Sequence, residues 1–190
     1  MITKDFILAS ASPQRKRLLE QIGYAPKKIV SADIDEAEIK HEKPLPYVKR
    51  MAFEKANAVA KLFPNENILA CDTIITVGLR IVHKSKTADD QRSVMNLLSG
   101  RNHKVISAVC LIDKSGKISQ RVVTTRISMK RLSEEEIEKY LASNEWVGVC
   151  GYKIEGLLAG FVRQMVGSFS GVVGLPLYET KNLLEGAGIK

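Results

Sequence analysis

Ile68-Leu-Ala-Cys-Asp-Thr-Ile-Ile-Thr-Val77 is the stretch that decides the architecture of this chain. The run is aliphatic and β-branched, and its one charge is Asp72. Such a run predicts a central strand with both faces covered. Side chains alternate along a strand, so Asp72 falls on the face of Ile68, Ala70 and Ile74. An ionised carboxylate on an apolar face is expensive unless it is paired, binds a metal or stands at a strand end. Ligands bind at strand ends in α/β proteins. Asp72 therefore reads as a functional carboxylate, with metal ligand and general base as its two natural roles.

Working outward, Phe6 to Ala9 predicts a second buried strand that feeds a helix through Ser10-Ala-Ser-Pro13. Ser12 suits the N-cap and Pro13 the first helical position, with Gly23 ending the helix after Ile22. Ile29 to Ile34 predicts a short strand, and Pro44 and Pro46 precede a helix from Tyr47 to Phe63. On the other side, Gly78 marks a turn before a short strand at Ile81-Val82. Thr87 with Asp90 opens a helix to Leu98. Lys104 to Ile112 and Lys117 to Met129 predict a hairpin about the turn Asp113-Lys-Ser-Gly116. Ser133 with Glu136 is a capping box for a helix to Ala142. Leu157 to Val166 predicts a strand, and Pro176 to Leu184 a last helix. Interleaved strands and helices predict an α/β or α+β fold with a mixed β-sheet. Without a repeat or a Pro/Gly/Ser-rich linker, residues 1–190 read as a single domain.

The 190 residues suffice for a substantial core, and 45% hydrophobic with 26% charged residues is ordinary for a globular protein. No apolar run reaches the ~18 residues of a membrane helix, and Met1 to Asp5 enters the first strand without the build of a signal peptide. Cys71, Cys110 and Cys150 are widely spaced, which argues against a disulfide framework or a zinc cage and suits a reducing cytoplasm. The formal net charge of +8 favours anionic partners without choosing among them.

Several residues could meet such a partner. Ser10 precedes a helix whose first turn carries Arg15, Lys16 and Arg17. Cations there oppose the helix dipole, so an anion nearby would explain them. At ~100° per residue, Lys55 falls ~20° from Val48, inside the apolar stripe of Val48, Met51, Ala52, Val59 and Leu62. A lysine there must snorkel, pair with an anion or face a cleft. The acidic pair Asp35 and Glu36 could join Asp72 in an oxygen site for Mg²⁺, and Lys84 follows a short strand where it could meet a phosphate. His41, His83 and His103 lack metal-ligand spacing, no Walker A loop occurs, and Trp146 suits the core or its rim.

Taken together, these segments resemble the Maf family, the septum-formation-inhibitor-like nucleoside triphosphate pyrophosphatases. Leu8-Ala-Ser-Ala-Ser-Pro-Gln-Arg15 is similar to the family's Leu-Ala-Ser-x-Ser-Pro-Arg-Arg, and Asp35-Glu36 to its acidic pair. Ala52-Phe-Glu-Lys-Ala56, Asp72-Thr73 and Leu98-Ser-Gly-Arg-Asn-His103 follow in the family's order. Gly167-Ser-Phe-Ser-Gly-Val-Val-Gly-Leu-Pro176 completes the set. Six motifs in order are specific where any one is weak.

The resemblance implies two lobes around a central cleft, a Maf/ITPase-like fold, a homodimer and a house-cleaning role in the cytoplasm. It implies hydrolysis of a nucleoside triphosphate to the monophosphate and pyrophosphate with a divalent cation, Mg²⁺ or Mn²⁺. Ser10, Arg15, Lys55 and Lys84 would hold the triphosphate. Glu36 and Asp72 would bind the metal, and Asp72 would orient or deprotonate the attacking water.

The chain also departs from the family pattern. Gln14 replaces the first arginine, and His83-Lys84-Ser85 stands for Gly-Lys-Pro. Val149-Cys-Gly-Tyr-Lys-Ile-Glu-Gly156 stands for Ala-Gly-x-Tyr-x-Ile-Gln-Gly. Gln14, Thr73 and Glu155 match the family's base-selecting positions. The thymidine and uridine triphosphate branch carries Arg, Thr and Gln there, and the 7-methyl-GTP branch an aromatic, Gln and Glu. This chain mixes the two, so the base stays open. Two other readings compete: a basic nucleic-acid-binding module, which lacks interleaved aromatic and basic strand residues, and a non-catalytic cell-division regulator on the same fold, against which Ser10, Lys55, Asp72 and Lys84 are all present.

Overall fold

The computed structural model describes residues 2–190; Met1, which opens the segment read as lacking a signal peptide, lies outside them. Seven strands form one mixed sheet. They are β1 (Thr3–Leu8), β2 (Ala25–Ile29), β3 (Ile68–Val77), β4 (Arg80–Val82), β5 (Asn102–Ile112), β6 (Ile118–Met129) and β7 (Val162–Val166). The order across the sheet is β2-β1-β3-β5-β6-β7, with β4 also on β3. β1 runs parallel to both β2 and β3, and the remaining pairs are antiparallel. The helices are α1 (Pro13–Gln21), α2 (Pro44–Leu62), α3 (Ala88–Leu98), α4 (Glu134–Ala142), α5 (Phe169–Val173) and α6 (Leu177–Gly186). None among the described residues is long and apolar enough to cross a membrane.

The central strand creates the opening in which a site can form. β5 pairs with β3 along one edge from Ile68 to Thr76. Two strands share the other edge: β1 meets it at Ile68 and Leu69, and β4 at Ile75 to Val77. The intervening residues, Asp72 among them, face a gap in the sheet. The strand itself is buried nearly throughout, so among the described residues this gap is the one break along its edges.

Alternation then sorts the cores. α2 lays Tyr47, Val48, Met51, Ala52, Ala56 and Val59 on the face that carries Ile68, Ala70 and Ile74. On the opposite face, α1 and α6 cover Leu69, Cys71 and Val109 with Leu19, Leu183 and Leu184. Farther along that face, α3 and α4 cover Ile75, Val105 and Ile127 with Met95, Ile137 and Tyr140. Each such buried aliphatic side chain contributes roughly 1.5–3 kcal/mol. Ser12 caps α1, and both Thr87/Asp90 and Ser133/Glu136 form complete capping boxes.

Three expectations need correction, and one helix was not expected. The strand expected at Ile29 to Ile34 is β2, Ala25–Ile29. The Val30 amide still donates to the Leu8 carbonyl at 3.0 Å, and beyond it the chain leaves the sheet to cross the gap. The strand expected from Leu157 is a 3₁₀ helix over Leu157–Phe161, and only Val162–Val166 pairs. Leu62, placed in the apolar stripe of α2, is 68% exposed, and Val59, Ala60 and Phe63 instead carry the last turn's contact with the core. The short helix α5 went unforeseen. Trp146 belongs to the core under α3 and α4.

Candidate active site

The gap beside β3 opens into a cleft of ≈ 750 Å³. Ser10, Gln14 and Arg15 reach it from the β1–α1 connection, and Glu36 from the loop after β2. Lys55 comes from α2, Asp72 and Thr73 from β3, Lys84 from beyond β4, and Glu155 from the loop after α4. All nine line this one cleft.

The wall built by β1 and α1 is held by short hydrogen bonds. The Ala9 amide donates to Leu69 O at 2.8 Å, which delivers Ser10 to the open edge of β3. The Ser10 hydroxyl accepts from the Ser12 amide at 3.2 Å and from Arg15 Nη1 at 3.0 Å. Arg15 Nε donates to Gly174 O at 2.9 Å. The Gly174 carbonyl also accepts from Cys71 Sγ at 3.2 Å and Thr73 Oγ1 at 3.4 Å. Gly174 has φ = +134°, a region open to glycine at little cost. Three side chains from α1 and β3 thus depend on the carbonyl aimed by that one residue.

Lys55 and the two carboxylates form the floor. Lys55 Nζ lies 2.6 Å from Asp72 Oδ1 and 3.1 Å from Glu36 Oε1. The Lys55 and Asp72 side chains are 12% and 9% exposed, so the pair is largely withdrawn from water. The Tyr47 hydroxyl donates to Glu36 O at 2.8 Å and Arg50 Nη2 to Ala37 O at 2.9 Å, which fixes the Glu36 loop although it has no regular structure. Burial, with Asp72 and Glu36 nearby, pushes the Tyr47 phenol up to about 12 and keeps it a donor.

Lys84 and Glu155 stand on the far lip. Lys84 pairs in a single antiparallel bridge with Cys150. The Cys150 thiol donates to Val82 O at 2.8 Å, and burial pushes it up to about 11. The Tyr152 hydroxyl shares a 2.6 Å hydrogen bond with His103 Nε2. Burial holds His103 down at about 4, so its imidazole is neutral.

Three contributors went unrecognised. Lys153 lines the cleft beside Glu155; its motif was noted, but a single exposed-looking lysine carries no signal. His83 Nε2 approaches Glu38 Oε1 at 2.9 Å across the mouth, a contact between segments 45 residues apart in number that pattern cannot show. Gly174 acts through its carbonyl, which leaves no side-chain trace.

The donor set suits a hard divalent cation. Two carboxylate oxygens converge on one ammonium, the geometry of a site that takes a single positive charge centre. Among the described residues no third acidic, histidine or cysteine ligand joins them. Mg²⁺ commonly uses one or two carboxylates and completes its shell with water and substrate phosphates.

Arg15, Lys55, Lys84 and Lys153 line the cleft around a carboxylate pair, which defines an α/β protein with a basic cleft. The chain belongs to the Maf-like protein family, whose model matches residues 5–187. The dTTP/UTP pyrophosphatase of Mesorhizobium japonicum is 46% identical, over 100% of this chain and 94% of its own. The nucleoside triphosphate pyrophosphatase of Neorickettsia sennetsu is 45% identical, over 97% and 89%. A solved nucleoside-triphosphatase / dITP/XTP pyrophosphatase from Mycobacterium abscessus is 18% identical and overlaps 69% of this chain and 74% of its own at a TM-score of 0.44.

Proposed function

We propose that this cleft hydrolyses a nucleoside triphosphate to the monophosphate and pyrophosphate. The enzyme class follows the family and its relatives, which are named as pyrophosphatases. The observation that carries the mechanism is the meeting of Lys55 with the buried Asp72 and the more exposed Glu36 at the floor of a cleft otherwise edged by cations.

Arg15, Lys84 and Lys55 are placed to neutralise the triphosphate, and the Ser10 hydroxyl can donate to it once Arg15 turns toward the ligand. Asp72 orients the attacking water and accepts its proton. Water adds to phosphorus, the bond between the α- and β-phosphate groups breaks, and the pyrophosphate leaves. Glu36 and Asp72 would hold a divalent cation, which supplies charge neutralisation and polarises phosphoryl oxygens. Positioning and preorganised charge account for most of such a reaction, and a general base adds about 10²–10⁴-fold.

Gln14, Thr73 and Glu155 are the proposed base readers. The Thr73 hydroxyl is already held by Ser107 Oγ at 3.0 Å and Gly174 O at 3.4 Å, so it presents a fixed surface. The Glu155 carboxylate is free to accept two hydrogen bonds from a guanine-type edge, whereas the relatives' names point to pyrimidines. Purified chain with Mg²⁺ or Mn²⁺ and a panel of dTTP, UTP, GTP and modified triphosphates decides both questions. Pyrophosphate is the expected product; release of orthophosphate would overturn the reading.

A further inference from the structure

We infer that Gln91, which does not line the cleft, is a positioning residue that locks the Lys84 turn to the loop carrying Lys153 and Glu155. The inference rests on the proposed reading of the cleft.

Gln91 lies in the first turn of α3 and is wholly buried. Its Nε2 donates to Gly151 O at 2.6 Å, and its Oε1 accepts from Ser85 Oγ at 2.7 Å. A backbone carbonyl can only accept, so the amide orientation is dictated by its partners. One side-chain amide therefore spans from the residue after Lys84 to the middle of the segment Val149 to Glu155. That segment contains no helix or strand. Tyr152 and Ile154 anchor it in the core under α3 and α4, and its polar ties to the lip include the Lys84–Cys150 bridge, the Cys150 thiol on Val82 O, the Tyr152–His103 bond and Gln91.

The chemistry asks for glutamine in particular. Gly151 O needs a donor and the Ser85 hydroxyl needs an acceptor, at one end of one side chain. Leucine or methionine fills the volume but leaves the buried Gly151 carbonyl without a donor and releases the half-buried Ser85 hydroxyl. Ser85 also stands where the family pattern has proline. A proline ring fixes its own backbone; here a hydroxyl held from beneath does so instead. The phosphate lysine and the base-reading loop consequently move as one lip, so loosening Gln91 relaxes nucleotide grip and base choice together.

Gln91→Leu, Gln91→Glu and Ser85→Ala test this. Amide hydrogen exchange over residues 149–156 needs no substrate and is the first readout. Gln91→Leu should raise it on the order of tenfold while β3 and β5 keep their rates. With the nucleotide hydrolysed best, KM should rise on the order of tenfold and base discrimination fall by a similar factor, with kcat within about threefold. Gln91→Glu should match the wild type at acid pH, where a carboxylic acid donates and accepts, and resemble Gln91→Leu once the carboxyl ionises. Ser85→Ala should give a weaker form of the same changes, and stands in if Gln91→Leu does not fold. Unchanged exchange over 149–156, or a Gln91→Glu variant without the pH-dependent loss, overturns the proposal. A wild-type chain that hydrolyses no triphosphate overturns the function and leaves the exchange result to judge Gln91.

Discussion

Asp72→Asn separates catalysis from folding at the centre of the cleft. The substitution keeps the shape and an oxygen acceptor at Oδ1, and removes one negative charge and the proton-accepting capacity. Lys55 retains Glu36 at 3.1 Å and an amide oxygen where Asp72 Oδ1 stood at 2.6 Å. The stability cost is therefore the difference between a charged and a neutral hydrogen bond, about 1 kcal/mol. Relief of repulsion between the two carboxylates offsets part of it. For a chain of this length ~1 kcal/mol moves Tm by about 2–4 °C. The catalytic cost is larger: loss of a general base alone is worth about 10²–10⁴-fold, and the same atom is a proposed metal ligand. Melting by circular dichroism and a coupled assay for pyrophosphate should give a Tm within about 4 °C of wild type and a kcat lower by about 10³-fold or more. Turnover within tenfold of wild type would refute the reasoning. So would a Tm drop beyond about 10 °C, which would make Asp72 a structural residue.

Lys55→Met removes the internal cation and leaves Glu36 facing Asp72. Titration calorimetry with Mn²⁺ and no nucleotide should show tighter binding than in the wild type, and equal or weaker binding would remove the carboxylate pair as the metal site. Glu155→Gln should shift preference from guanine-type toward pyrimidine triphosphates in a competition assay; an unaltered profile takes Glu155 out of base reading. His103 is held at about 4 by burial, below its ordinary 6.5. The unfolded chain binds that proton first, so stability falls as pH drops from about 6.5 toward 4, by up to ~3 kcal/mol. His103→Gln should flatten that part of the Tm profile relative to wild type, and parallel profiles would contradict the assignment.

Much of this architecture is legible locally. The bounds of β3, the hairpin of β5 and β6 and three helix starts follow from alternation, turn residues and capping side chains, which act within a few residues. Lys55 on an apolar stripe and Asp72 on an apolar strand each violate the local pattern, and the structure brings the two together at 2.6 Å. What local pattern does not hold is where a segment finds its partner. Ile29 to Ile34 has the composition of a strand, but β1 offers pairing only through Ile29, so the rest runs free as the loop bearing Glu36. Leu157 to Phe161 is apolar enough for a strand, yet β6 is met by β7 only from Val162 onward. The Gly174 carbonyl and the Gln91 amide act across more than fifty residues, through a backbone atom in one case and an unremarkable helix glutamine in the other.

The gap along β3 explains why the charges gather where they do. Had a single strand covered the edge opposite β5, Asp72 and Lys55 would form a sealed ion pair. Such a pair is weak support for stability, since desolvation consumes most of its Coulomb gain. Because β1 and β4 take only the two ends of that edge, the pair stays at the floor of an open cleft. In the proposed reaction this opening lets the ammonium exchange the carboxylates for a phosphate while the carboxylates take a metal. The same argument places the excess of +8. Four cations line the cleft, whereas others are spent in surface pairs such as Lys27 with Asp5 and Glu66, or Arg92 with Glu134 and Glu138. A nucleic-acid surface needs its cations spread along a face, whereas these four share one cleft.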